Sequence, residues 1–279
     1  MAIVVDVNAD DPVVLVENDG GIFTVTLNRP EKRNAMNPAL HYQMHALLSE
    51  LRYNDAVRVL IVAGAGGSFC SGQDLKAYFH LLEGQTMKEA RERAREISND
   101  WRGQMLRKFP VPTIAMIEGY CIGGAFSIVT SCDIAIAADD AKFVLSEINF
   151  KTAPLGLVAK DISDNMEPRQ AMYYALTGEP FSGTRAAEIG LITKSVPAAE
   201  LHAEVRRIAE ALREKDPIAL RTTKDVLKFS RRMDYEEAYA YSMALAGDLT
   251  YKQDGAWMTS GIGDFIAGKY RPGLNESKH

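Results

Sequence analysis

The segment that most limits the fold runs from Thr113 to Asp139, TIAMIEGYCIGGAFSIVTSCDIAIAAD. β-prone runs at its two ends, TIAMIEG and DIAIAAD, enclose a small-residue stretch, 122–131, that reads as a helix. A further strand, FVLSE (143–147), follows at once, and an earlier apolar run, VRVLIVAGA (57–65), opens a similar unit. Strand–strand–helix units that return every few dozen residues predict a superhelical stack of turns in an α/β chain rather than a doubly wound sheet.

The flanking segments agree. VVLVEND and IFTVTLN, on either side of Gly20–Gly21, read as a hairpin. Asn37-Pro38 starts a helix with Leu40, Met44, Leu47, Leu48 and Leu51 along one stripe. Residues 84–108 form a charged helix. From Pro168 the chain is mostly helical: two helices stop at Gly178 and Gly190, then longer ones cover 198–214, 217–230 and 234–249. The expected division is a β-rich spiral core over 1–200 and a helical C-terminal subdomain over 201–279.

A length of 279 residues suits one large or two small domains, and 47% hydrophobic with 25% charged residues suits a globular protein. A net charge of −5 gives no support to nucleic acid as a partner. No apolar run approaches the ~20 residues of a membrane span, so no membrane role is expected. The acidic start, MAIVVDVNADD, does not read as a signal peptide. Cys70, Cys121 and Cys132 are odd in number and lack metal-type spacing, so a reducing cytoplasm fits best.

Several chemistries lack their motifs. GAGGSF after the 57–65 strand lacks the third glycine of a dinucleotide fingerprint, and neither a P-loop nor a nucleophile elbow occurs. His41 and His45 have the i, i+4 spacing of metal ligands, but HYQMH lacks the glutamate of a zinc protease. No metal is expected. What remains are two strand ends, before Ser68–Gln73 and before Cys121–Gly124, that lead into small-residue turns. Two such turns can aim two backbone N–H groups at one developing negative charge, and the second also opens a helix. Tight packing explains glycines equally well.

Four long motifs decide between these readings. LNRPEKRNAMN, SGQDLKAYF, the stretch from Pro112 to Phe150 and YYALTGEPFSGTRAAEIGLITKSVP together resemble the crotonase (enoyl-CoA hydratase/isomerase) superfamily in order and spacing, over nearly the whole chain. The resemblance implies a ββα spiral core, a helical C-terminal trimerisation region, and an acyl-CoA thioester substrate whose coenzyme A is no separate cofactor. It implies a homotrimer or a hexamer made as a dimer of trimers. It also implies an oxyanion hole from the backbone N–H groups of Gln73 and Gly124, although Gln73 replaces the more usual apolar residue.

A typical hydratase of that superfamily carries a glutamate three residues after the oxyanion glycine and a second at position 147. Here the first is Ser127 and the second, Glu147, is kept. The acid that isomerases place shortly afterwards is missing from KTAPLG (151–156). GGAFS, LSEINF, DLKAYF and RPGL resemble a narrower branch, the hydroxycinnamoyl-CoA (feruloyl-CoA) hydratase-lyases. That branch implies Glu147 as acid/base, Tyr78 near the aromatic ring of the substrate, and Ser127 holding water or the β-hydroxyl. Arg29, Lys32 and Arg33 would border the nucleotide and phosphates of coenzyme A, with Phe265 and Lys269 reaching a neighbouring subunit's coenzyme. The branch's second phenol-binding tyrosine aligns with Met243, with Tyr239 and Tyr241 close by. The resemblance leaves two alternatives: a hydratase that does not cleave, and a non-catalytic binding protein of the same fold.

Overall fold

The computed structural model describes residues 12–80 and 87–269, without the side chains of 78–80, 87, 88, 90 and 91. Two compact units divide after Glu214. In the first, β1 (Val14–Asp19) and β2 (Ile22–Leu27) form a hairpin whose turn, Gly20–Gly21, has positive φ at both residues. That geometry matches the twist of a two-residue hairpin and suits glycine. Next come α1 (Pro38–Leu51), β3 (Val59–Gly64), α2 (Leu75–His80) and α3 (Met87–Asp100). They are followed by β4 (Thr113–Ile117), β5 (Tyr120–Ile122), α4 (Phe126–Ser131), β6 (Ile134–Ala138) and β7 (Lys142–Val144). The unit ends with α5 (Leu157–Asn165), α6 (Pro168–Thr177), β8 (Phe181–Ser182), α7 (Gly183–Glu188), β9 (Lys194–Val196) and α8 (Leu201–Arg213).

The strands form two sheets. One has the order β1-β2-β3-β4-β6-β9, parallel after the opening hairpin; the other has the order β5-β7-β8. Two isolated parallel bridges, Cys70 with Cys121 and Met36 with Gln73, extend the second layer back towards the N-terminus. Each circuit of the chain therefore leaves one segment in each layer and then turns into a helix. This is the expected spiral. Its consequence is positional: Cys70–Gln73 and Cys121–Gly124 occupy matching places on successive circuits and lie side by side.

The core is where the apolar periodicity puts it. Leu40, Met44, Leu47, Leu48 and Leu51 of α1 are all buried, and the Asn37 side chain caps the helix by accepting from the Leu40 N–H (2.9 Å). Three very short strands, β5, β8 and β9, complete the layers, and they were not anticipated as strands. Helix α8, grouped by sequence with the C-terminal helices, buries Leu201, Val205 and Ala209 in the first unit. The charged helix ends in a π-helical turn, Trp101–Met105, rather than running straight to the Phe109-Pro110 stop.

The second unit contains α9 (Pro217–Ser230), α10 (Tyr235–Lys252) and the short α11 (Gly263–Ile266). Helix α10 begins with a reciprocal capping box between Asp234 and Glu237. A pocket of about 490 Å³ within this unit is lined by Asp216, Gln253, Trp257, Ile262 and Phe265, among others. Among the described residues no helix is long and apolar enough to cross a membrane.

Candidate active site

The two small-residue turns meet. Gly72 has φ +85, and a Cβ there would lie 2.7 Å from the Ile122 carbonyl oxygen and 3.5 Å from the Gly124 nitrogen. A side chain at position 72 would hold the turns apart, so glycine is required there by contact as well as by φ. A Cβ on Gly124 would in turn lie 3.6 Å from Cγ of Gln73.

Backbone pairing sets the direction of both candidate donors. The Met36 N–H donates to Gly72 O (2.8 Å) and the Asp74 N–H donates to Met36 O (2.9 Å). The N–H of Gln73, between those two contacts, is therefore turned away from the Met36 segment. Gly124 is the second residue of the 3-10 turn Gly123–Ala125, in a first turn whose N–H groups have no acceptor within the helix. Two N–H groups on touching turns, one at a helix start, form the constellation needed to hold a carbonyl oxygen that gains charge.

Glu147 comes to the same place from the next circuit. It opens the 3-10 turn Glu147–Phe150, immediately after β7, and is not part of the strand itself. Its Oε1 would lie 3.0 Å from a Cβ on Gly123, the residue before the second donor. Its Oε2 is buried and has no hydrogen-bond partner among the described residues. Burial raises the pKa of this carboxyl above its ordinary value, with a smaller opposing effect from a backbone hydrogen bond. A carboxyl beside the Gly123–Gly124 turn, with one buried oxygen unbonded among the described residues, is suited to move protons at a carbonyl compound held there.

Ser127 lies underneath the turn and does not join Glu147. It is fully buried, and its Oγ donates to Gly124 O (2.8 Å) while accepting from Nη1 of Arg102 (2.8 Å). The side chain of Gln73 is held from below as well. Trp101 Nε1–H donates to Nδ1 of His41 (2.9 Å), which leaves the His41 proton on Nε2, 2.9 Å from Gln73 Oε1. Burial, and then the charge of Arg102, push the His41 pKa down to about 3, so the ring is neutral at physiological pH. His41 thus serves a buried hydrogen-bond chain, and His45 pairs with Asp100 (3.1 Å). Arg102 and Trp101 were not anticipated as site residues. Within a densely charged helix, one more arginine carries no sequence signal of burial.

The basic loop divides in its roles. Arg29 is bonded to Asp74 (3.0 Å) and to the Ala35 carbonyl, so its guanidinium fixes the loop to the residue after Gln73. Lys32 and Arg33 are exposed, and the Arg33 guanidinium lies over the Tyr120 ring, 4.5 Å from its centroid. Buried Asn34, at φ +57, accepts from the Arg29 N–H and donates to Ala65 O and Ser68 O. Asn34→Ala removes all three contacts and keeps a left-handed backbone. It should lower stability by about 2–4 kcal/mol, measured as the shift in a urea or thermal unfolding curve. A loss below about 0.5 kcal/mol would mean that the loop is held otherwise.

Helix α2 carries Tyr78, whose side chain lies outside the described residues, as does the RPGL segment (271–274). In the second unit Tyr241 packs edge-on against Phe229 (6.3 Å), whereas Tyr239 and Met243, one turn apart, are exposed. Phe265 is also exposed, and Lys269 lies 3.4 Å from Asp264.

Residues 17–265 match the family model described as enoyl-CoA hydratase/isomerase. A hydroxycinnamoyl-CoA hydratase-lyase from Pseudomonas fluorescens is 40% identical over 266 residues, spanning 95% of this chain and 96% of that protein. A peroxisomal Delta(3,5)-Delta(2,4)-dienoyl-CoA isomerase from Arabidopsis thaliana is 32% identical over 240 residues, with 82% and 85% covered. Among solved structures, an enoyl-CoA hydratase from Mycobacterium smegmatis superposes with a TM-score of 0.84 at 25% identity, over 93% of this chain and 98% of that one.

Proposed function

The chain belongs to the enoyl-CoA hydratase/isomerase family and is a lyase-class enzyme; on that premise we propose that it hydrates a hydroxycinnamoyl-type CoA thioester and then cleaves the adduct to an aromatic aldehyde and acetyl-CoA. The observation that carries this reading is the half-buried carboxylate of Glu147 against the Gly123–Gly124 turn, with Ser127 at the position where a second acid would stand. The likeness to the Pseudomonas fluorescens hydratase-lyase supports it.

The chemistry follows from those groups. The thioester oxygen accepts from the N–H groups of Gln73 and Gly124, which draws electron density from the conjugated double bond. Glu147 takes a proton from water as the oxygen bonds to the β-carbon, and the resulting enolate takes a proton back at the α-carbon. In the second half the β-hydroxyl gives its proton to the Glu147 carboxylate, the Cα–Cβ bond breaks, and the aldehyde departs. The electron pair left on acetyl-CoA is an enolate held by the same two donors until Glu147 returns that proton to the α-carbon. One acid/base suffices, and no cofactor is needed beyond the coenzyme A of the substrate. Lys32 and Arg33, exposed beside the first turn, are suited to the phosphates of that coenzyme.

The proposed assembly is a homotrimer, alone or paired as a hexamer, working in the cytoplasm. The exposed pair Tyr239 and Met243 offers a face to a neighbouring copy, and Tyr239 is the phenol of that pair. A second reading, hydration without cleavage of another enoyl-CoA, is favoured by Met243 at the aligned tyrosine position. One assay separates the two. Feruloyl-CoA, p-coumaroyl-CoA and crotonyl-CoA are supplied in parallel, with aldehyde and hydroxyacyl-CoA both quantified. Aldehyde with acetyl-CoA from an aryl substrate is the expected product. Hydroxyacyl-CoA with no aldehyde from any aryl substrate would establish the second reading.

A further inference from the structure

Consecutive residues of the π-helical turn, Trp101 and Arg102, reach the two halves of the candidate oxyanion hole from beneath. Trp101 acts through His41 on the Gln73 side chain. Arg102 is in direct contact with the Gly124 half. Its Nη1 donates to Gly124 O and to Ser127 Oγ, both at 2.8 Å, and Ser127 Oγ donates to the same Gly124 oxygen. The other side of the guanidinium is bound to one helical turn: Nε donates to Ser98 O (3.0 Å) and Nη2 to Ser98 Oγ (2.8 Å). Arg102 is only 5% exposed. The guanidinium therefore links α3 to the carbonyl of Gly124, the residue whose N–H is the second donor.

We propose that Arg102 is a positioning residue that sets the orientation of the Gly124 N–H towards the substrate carbonyl and lends its buried positive charge to the enolate. Two physical arguments carry this. Gly124 has no Cβ to limit its dihedral angles, so its N–H is held only as well as the peptides on either side of its Cα. The preceding peptide is held by the Phe126 N–H on Gly123 O, and the following one by the Arg102 and Ser127 donors on Gly124 O. Further, a Cβ at Gly124 would lie 3.2 Å from Arg102 Nη1, so the cation packs directly against the donor residue. A positive charge so placed, in a medium of lower dielectric than water, favours an anion bound at that N–H. Arg102 lies four residues after buried Ser98 and eight after buried Ala94, so the inward stripe of the helix carries it into the interior at the start of the π-helical turn, and such turns occur often at functional sites.

The proposal rests on the oxyanion-hole reading above, and the test keeps the two separable. The probe is acetyl-CoA carrying ¹³C at the thioester carbonyl, which has no β-carbon to hydrate and so binds without turnover. Its carbonyl stretch is recorded by difference infrared spectroscopy, free and bound, for the wild type, R102Q and R102K. Steady-state kinetics with feruloyl-CoA accompany it. In the wild type the bound carbonyl should absorb at lower frequency than the free one. R102Q should lose most of that shift and about 10- to 100-fold in kcat, with KM within a few-fold. R102K, which keeps the charge but lacks the fork, should fall between. A merely structural arginine would lower the melting temperature and the yield of folded enzyme without moving the carbonyl band of the molecules that fold. A wild-type shift retained by folded R102Q, with kcat unchanged, would overturn the role of Arg102 alone. Absence of a shift in the wild type would overturn the oxyanion-hole reading and this inference with it. If R102Q fails to fold, R102K and Ser98→Ala decide the matter, since each loosens the guanidinium without removing an atom of Gly124. An unaltered band in both would reject the proposal.

Discussion

Glu147→Gln should lower kcat by about 10³- to 10⁴-fold while the Kd for a CoA ester changes by no more than a few-fold. The substitution keeps the shape and removes the basicity of a carboxylate whose Oε1 faces Gly123 and whose buried Oε2 has no hydrogen-bond partner among the described residues. The loss is set at the upper end of general acid–base effects because one group serves both proton transfers. In a site with two acids the second could sustain part of the rate; here Ser127 lies beneath the turn, bonded to Arg102 and Gly124. The pH profile gives an independent check. Burial raises the pKa of Glu147, and the hydration step needs its ionised form. The kcat/KM of the wild type should therefore fall as pH drops through a value above the ordinary carboxylate range, and the residual activity of Glu147→Gln should lack that limb. Stability should move the other way. A carboxyl whose pKa is higher folded than unfolded opposes folding once it is ionised in both states, and stops doing so below its unfolded pKa, where it is protonated in both. At pH 7 the glutamine variant should thus unfold at a temperature no lower than the wild type. Turnover near wild type would assign the proton transfers to another group. Loss of ester binding with a lowered unfolding temperature would show damage to the fold instead.

The features legible in the sequence are those fixed by near neighbours along the chain. The α1 stripe, the glycine hairpin at 20–21 and the stops at Gly178 and Gly190 each depend on a few adjacent residues, and all are present. Glu147 and the two glycine turns were found as motifs, and the spiral explains why they meet: they occupy corresponding places on successive circuits. What the sequence withheld depends on the third dimension. Strands β5, β8 and β9 are two or three residues long and exist only because a neighbouring circuit supplies their hydrogen bonds. Arg102 looked like one more charge in a solvated helix, because its partners Gly124 and Ser127 lie more than twenty residues away. His41 drew notice for metal-like spacing, but burial makes it a neutral link between Trp101 and Gln73. The serine of GGAFS was read by analogy with the acid it replaces, although a shorter side chain at that position reaches the turn and goes no further.

Gly123→Ala should lower kcat by about 100-fold or more, the second large effect expected, and the reason lies in one methyl group. Gly123 has φ +52, where an alanine costs about 1–2 kcal/mol of backbone strain. The added Cβ would also stand 3.0 Å from Glu147 Oε1 and 3.5 Å from its carboxyl carbon. Either the carboxyl swings away or the turn shifts, and the turn contains the peptide whose N–H belongs to Gly124. Both outcomes misplace a reacting group, and displacements near 1 Å can cost about 10²-fold in rate. The strain and the contact can be separated with a second glycine. Gly190, at the end of α7, has φ +78, but a Cβ there would meet only Asn165 O at an ordinary 3.7 Å. Gly190→Ala should therefore lose comparable stability in urea unfolding yet retain wild-type kcat, whereas Gly123→Ala loses both. If the two variants show equal activity, backbone strain alone is at work, and the approach of Glu147 to the turn has no part in catalysis. If only Gly123→Ala is slow, and its carbonyl probe remains shifted, the displaced group is the carboxyl rather than the N–H. That result would divide the proton-transfer and charge-stabilising functions between two atoms on opposite sides of a single glycine.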